Sequence, residues 1–130
     1  MKIVVVGTGQ AGASLVAKLR SSGHQGEITM IGSEPELPYQ RPPLSKKYLL
    51  GEIGKERLFL RPQNFYDDQT ITLALGRSVD AVDRTAKTVT AGDTLYPYDH
   101  LVLTTGSSPR RLPKSIGGTL AGVYTMRDLA

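Results

Sequence analysis

The stretch from Lys2 to Val6, KIVVV, is apolar after its first residue and shows no polar alternation. That pattern predicts a strand buried on both faces, as in a parallel sheet. Leu15, Val16 and Leu19 then recur at helical spacing within residues 11–20, and Ser21-Ser22-Gly23 supplies a stop. A second strand is predicted at Ile28 to Ile31. The first 31 residues therefore read as βαβ, the crossover that a parallel pair requires.

The pattern then changes. Residues 32–45, GSEPELPYQRPPLS, contain four prolines, each of which fixes φ and removes a backbone donor. A short helix is expected from Ser45 to Leu50, ended by Gly51, and another after Pro62 in PQNFYDD. Strands are expected at Thr70–Leu75, Ser78–Val82, Thr88–Thr90, Tyr98–Thr104 and Gly122–Thr125. Asp83-Arg84-Thr85-Ala86 and Ala91-Gly92-Asp93 are the breaks between them. Asp128 is a candidate helix start with no helix after it, which reads as an interrupted domain.

The first strand leaves through GTGQAG, with glycines at 7, 9 and 12. A helix N-terminus presents unpaired N–H groups and partial positive charge, and so suits a phosphate. In such a turn the first glycine permits the bend. The second admits a pyrophosphate to the backbone, and the third allows close helix–strand contact. Val16 stands four positions beyond Gly12, where small residues are usual, and is expected to crowd the helix or shift it. Glu34 lies 22 positions after Gly12, near the spacing of an acidic ribose ligand. Ser33 is an alternative for the same contact. These features alone allow NAD, NADP or FAD.

Composition narrows the chemistry. The chain has 130 residues and no cysteine, which excludes a structural disulfide, a thiolate metal site and a redox dithiol. Electron chemistry would have to come from a bound cofactor. The net charge of +4 reads on its own as a solubilising surface, and a mild positive field would also favour an anionic ligand or acidic partner. No basic stripe with interleaved aromatics indicates a nucleic acid. Arg110, Arg111 and Lys114 read as plain basic surface, and Tyr48, Phe59, Phe65 and Tyr66 as packing. No metal-ligand cluster and no catalytic constellation is legible. The apolar start is too short to span a bilayer, and Gly7 ends it before a signal-peptide core can form. A cytoplasmic protein without a membrane partner is expected.

LPYQRPPLSK at 37–46, KKYLLGE at 46–52, LFLRPQNFY at 58–66, YDHLVLTTGSSPRRLP at 98–113 and YTMRDL at 124–129 carry a resemblance across essentially the whole chain. It resembles the flavoprotein ferredoxin reductases that serve bacterial oxygenases, within the wider FAD-containing pyridine nucleotide oxidoreductases. The resemblance implies an α/β, Rossmann-like FAD-binding domain with a parallel sheet and an added antiparallel β segment. Residues 1–130 would be the N-terminal segment of a discontinuous FAD domain. The remainder of that domain, an NAD-binding domain and a C-terminal domain would lie outside the 130 residues.

It also implies site residues. Gly7, Gly9, Ala11 and Gly12 would form the diphosphate turn. Either Ser33 or Glu34 would take the ribose, because the family's acidic position after Gly32 is Ser33 here. Arg41 and Pro42 would line the cofactor, and Lys46 would sit near the flavin ring. The Val79 backbone would hold the adenine. Thr105 and Gly106 would pass close to FAD, and Arg127 would contact it. The implied activity is electron transfer from NAD(P)H through FAD to a [2Fe–2S] ferredoxin. Two alternatives are an NAD-binding module of a dehydrogenase and a redox-sensing flavoprotein similar to apoptosis-inducing factor. The first leaves RPPLSK and the TTG segment unexplained.

The sequence holds one glycine fingerprint and none for a nicotinamide cofactor. The purified 130-residue chain is therefore expected to show negligible NADH–ferricyanide turnover. Appreciable steady-state turnover by that chain contradicts this reading.

Overall fold

The computed structural model describes residues 1–130. The chain divides into two compact units. The first comprises Met1–Tyr39 and Phe59–Gly106, and the second Gln40–Leu58 and Ser107–Ala130.

The first unit is built on a four-stranded parallel sheet. Strand β1 is Ile3–Val6, helix α1 Gln10–Ser21 and strand β2 Ile28–Ile31. Helix α2 (Gln63–Asp68) precedes β3 (Ile71–Ala74). Strands β4 (Ala81–Asp83), β5 (Thr88–Ala91) and β6 (Thr94–Pro97) form a separate antiparallel sheet, and β7 (His100–Leu103) returns to the first. The parallel order is β3-β2-β1-β7. The chain thus steps outward from β1 in one direction and comes back on its other side, which makes the β1/β7 boundary a topological switch point. Val6 pairs with Ile31 on one side and Leu103 on the other, so three carboxyl ends finish level.

The absence of alternation in β1 follows from its two covered faces. Ile3 and Val5 join a core with Val16, Ile28, Met30, Tyr66 and Ile71. Val4 and Val6 face the other way, into a cluster with Ile31, Val89 and Ala91. Helices α1 and α2 contribute to the first core and β5 to the second. Each fully buried Val or Ile contributes about 1.5–3 kcal/mol. Val16 is wholly buried in the first core, so the expected crowding is absorbed as packing. Arg20 closes the amino end of this sheet. Its guanidinium donates to the carbonyls of Gln69 (2.8 Å), His24 (2.7 Å), Gly26 (2.8 Å) and Thr70 (3.0 Å). The sites are the loops that feed β2 and β3.

Four sequence expectations are corrected. Residues 46–50 form turns rather than a helix; only Pro42–Ser45 is helical, as a 3-10 turn. Lys46 departs from it at φ −133°, ψ −115°, outside the helical basin. The expected strand at Ser78–Val82 is paired only from Ala81. Residues 122–125 are not a strand, since Gly122 turns at φ +86° and no ladder reaches them. Strand β6 was not expected. It pairs with β5 across the turn at Gly92-Asp93, and Pro97 at its end disguises it, because proline survives in strands only at edges and ends.

Tyr66 is fully buried, and its hydroxyl has no hydrogen-bond partner. Burial pushes its phenol pKa up, opposed in part by Arg61. An unsatisfied buried hydroxyl costs about 1–3 kcal/mol, so Tyr66→Phe is expected to leave stability unchanged or raise it in urea denaturation. The raised pKa means the unfolded chain loses this proton first. The neutral phenol's stabilisation is thus complete below about pH 10 and declines above it. Tyr66→Phe should flatten that alkaline decline, measured as the urea midpoint against pH.

Candidate functional site

The level carboxyl ends of β1, β2 and β7 gather the glycine turn, Gly32 and Thr104. Gly7 bends at φ +115°, the region that favours glycine. Its N–H donates to Ile31 O at 2.7 Å. A Cβ on Gly7 would collide with the Thr104 carbonyl, and one on Gly12 with the carbonyl of Gly7. The Thr104 hydroxyl donates to Val6 O and Gly7 O, each at 3.2 Å. A Cβ on Gly32 would strike the Thr8 side chain. These three glycines are required by the protein's own packing.

Gly9 differs. It is the N-cap of α1, and a Cβ there would meet nothing within 4 Å. No side chain caps the helix and no acidic residue stands in its first turn. The first satisfied amide is that of Ala13, which donates to Gly9 O at 3.0 Å. The N–H groups of Gln10, Ala11 and Gly12 have no intrahelical acceptor, and the dipole's positive end is uncompensated. Ala11 is exposed, whereas Gly12 is buried. An open surface of main-chain donors suits a diphosphate, so this turn fits the group the sequence implies.

Beyond β2, Ser33 is exposed and Glu34 half-buried. Tyr39, itself buried, donates its hydroxyl to Glu34 Oε2. The Glu34 carbonyl accepts from the Gly76 N–H at 3.0 Å. Glu34 is thus fixed at both main chain and side chain, while Ser33 faces solvent. Val79 is half-buried against the second core, between the flanking bonds Arg77 N–H to Gly32 O (2.8 Å) and Asp80 N–H to Thr90 O (2.9 Å). No other main-chain group bonds the Val79 peptide, which leaves its donor and acceptor available for a ligand's edge. Thr105 and Gly106 follow β7 on exposed backbone, with Gly106 at φ +70°.

The remaining predicted residues belong to the second unit. Arg41 is half-buried and donates from Nη1 to Arg127 O at 2.6 Å. Arg127, also half-buried, donates from Nε to Ser107 O at 3.1 Å. Pro42 opens the 3-10 turn and is exposed. The exposed Lys46 ammonium makes only long bonds, to Pro42 O at 3.3 Å and Ser45 Oγ at 3.5 Å. A cavity of about 480 Å³ opens in this unit, lined by Leu44, Tyr48, Ile53 and Met126 among others. The unit holds nine of the sixteen Lys and Arg residues and three of the twelve Asp and Glu, a net +6, against −2 for the first unit.

Sequence reasoning missed Thr104 and Tyr39. Thr104 ends the apolar run HLVLT, and the rule that ligands gather at parallel strand ends was the available signal. Tyr39 carried none, because its role depends on how residues 34–39 turn back. No helix is long and apolar enough to cross a membrane.

The family model described as pyridine nucleotide-disulphide oxidoreductase matches residues 1–130. Rhodocoxin reductase of Rhodococcus erythropolis is 48% identical over 128 residues, covering 98% of this chain and 30% of that protein. A ferredoxin–NAD(P)(+) reductase of Sphingomonas sp. is 44% identical over 129 residues, 98% of this chain and 31% of that protein. The crystal structure of the covalent putidaredoxin reductase–putidaredoxin complex superposes with a TM-score of 0.83 at 42% identity, covering 86% of this chain and 27% of that chain. The chain spans about 30% of the length of the curated relatives it matches.

The glycines separate by substitution. Gly12→Ala should cost about 1–3 kcal/mol or more by overpacking. Gly9→Ala should cost about 1 kcal/mol or less, the difference between these residues at an N-cap. Urea denaturation of both variants measures this, and equal losses would mean that Gly9 is not open.

Proposed function

We propose, from the premise that this chain belongs to the pyridine nucleotide-disulphide oxidoreductase family, that it is the N-terminal segment of a discontinuous FAD-binding domain. In this reading the full protein is a cytoplasmic enzyme carrying electrons from NAD(P)H through FAD to a [2Fe–2S] ferredoxin. The observation that carries it is Gly9. Nothing within 4 Å would obstruct a side chain there, so the space and the amides beside it are left for a ligand. The relatives support the electron acceptor: one is a rhodocoxin reductase, another a ferredoxin–NAD(P)(+) reductase, and a third is seen joined to putidaredoxin.

The residues divide the cofactor between them. Gly9, Ala11 and Gly12 take the diphosphate through main-chain N–H groups, while Gly7, whose own N–H is held by Ile31 O, shapes the turn and Thr104 fixes it from β7. Glu34 receives the ribose hydroxyls, because Tyr39 holds its carboxylate still and a fixed acceptor loses less entropy on binding. Ser33 is the exposed second contact. The Val79 peptide reads the adenine edge, and Thr105 and Gly106 let the backbone approach. Arg41, Pro42, Lys46 and Arg127 serve the cofactor from the second unit. Arginine is suited to phosphate by its planar fork of donors. Lys46 keeps its ammonium available to balance negative charge on a reduced ring. Bound FAD supplies the conversion between a two-electron donor and a one-electron acceptor that ferredoxin reduction requires.

The test separates folding from binding. The purified chain mixed with FAD should retain a yellow flavin spectrum after gel filtration. Gly9→Ala should lower FAD affinity about 10-fold or more, the equivalent of about 1.4 kcal/mol, with an unchanged far-UV spectrum. Retention of full affinity by the folded variant, or failure of the wild-type chain to take up FAD, defeats the reading.

A further inference from the structure

The contact between Arg41 and Arg127 spans 86 positions within the second unit. Beyond the 3-10 turn at Lys114–Ile116, residues 117–130 form no helix or strand. They have no periodic ladder to hold them. The carbonyl of Arg127 is nevertheless gripped by Arg41 Nη1, and its Nε by the carbonyl of Ser107. These bonds use the main chain and the inner nitrogen of Arg127. Its terminal nitrogens, Nη1 and Nη2, have no acceptor in the protein. A half-buried guanidinium with open terminal donors carries a desolvation cost that an anion would offset.

We propose that Arg41 is a positioning residue that acts on the cofactor through Arg127. The Arg41 side chain fixes the Arg127 main chain, Ser107 fixes the stem of its guanidinium, and the terminal fork is thereby aimed at an anionic ligand. The inference rests on the FAD reading, in which the cofactor is that anion; the tether itself lies wholly within the second unit. It accounts for an arginine at position 41, since reaching a carbonyl with a charged donor takes a long cationic side chain. Charge-assisted bonds of this kind are stronger than neutral ones.

Two measurements test it on the 130-residue chain. The first needs no FAD. Trypsin cuts after Arg127 only when that segment opens, and such cleavage tracks the open population. Arg41→Ala should speed this cut about 10-fold or more, while cuts after Arg77 and Lys87 keep wild-type rates as folding controls. Arg41→Lys, which retains a charged donor, should fall between the two. Position 41 is followed by proline and is itself a poor trypsin site, so the variants do not alter the map. The second measurement is FAD affinity in a double-mutant cycle. Arg41→Ala should weaken binding about 10-fold in the wild-type background and less than about 2-fold in an Arg127→Ala background, since residues in one network are non-additive. A wild-type cleavage rate in Arg41→Ala overturns the tether. An equal Arg41 effect in both backgrounds overturns action through Arg127. No FAD uptake by the wild-type chain overturns the proposed function and the cofactor role together, and the tryptic rates still decide the tether.

Discussion

The close approach of the β1–α1 turn to the end of β7 is the constraint on which the first unit depends. Gly7, Gly12 and Thr104 meet with no room for a Cβ, and one hydroxyl shares its hydrogen bond between two carbonyls of the turn. Two consequences follow from that contact. It seats α1 directly on the sheet, so that Val16 is buried with Val5 and Met30. It also points the helix's unpaired amides away from the protein at the switch point, where no following strand can cover them. The same compactness that makes the fold stable thus leaves Gly9 bare.

The parallel half of the fold was legible because its signals are local. Ile28–Ile31 was read with its true bounds, and α1 and α2 to within a residue or two, since buried runs and helical periodicity are properties of neighbouring residues. The antiparallel half was less legible. TLYP lies in a sequence that reads as turn because of Pro97, and only its pairing with Thr88–Ala91 makes it a strand. Conversely, Gly122–Thr125 has β-branched and aromatic residues but no partner strand, and propensity without pairing forms no sheet. KKYLLGE has helix-forming residues, yet the preceding Pro42–Pro43 turn releases the chain at Lys46 in a direction that does not continue.

The candidate site divides along the same line. Gly7, Gly9 and Gly12 announce themselves through spacing, whereas Thr104 and Tyr39 are long-range consequences of topology. The sequence left Ser33 and Glu34 as equals. The hydroxyl of Tyr39 distinguishes them, because it immobilises one and not the other. In the second unit the resemblance named Arg41 and Arg127 separately. Their hydrogen bond joins residues 86 positions apart, a relation that no spacing rule expresses.

The Arg20 guanidinium joins the loop after α1 to the loop before β3 through four carbonyls. Opening either loop strands part of a charged fork, so the two must fray together. Amide protons around residues 23–28 and 69–72 will consequently exchange as one cooperative block. One side chain thus ties the amino edge of the sheet into a single piece.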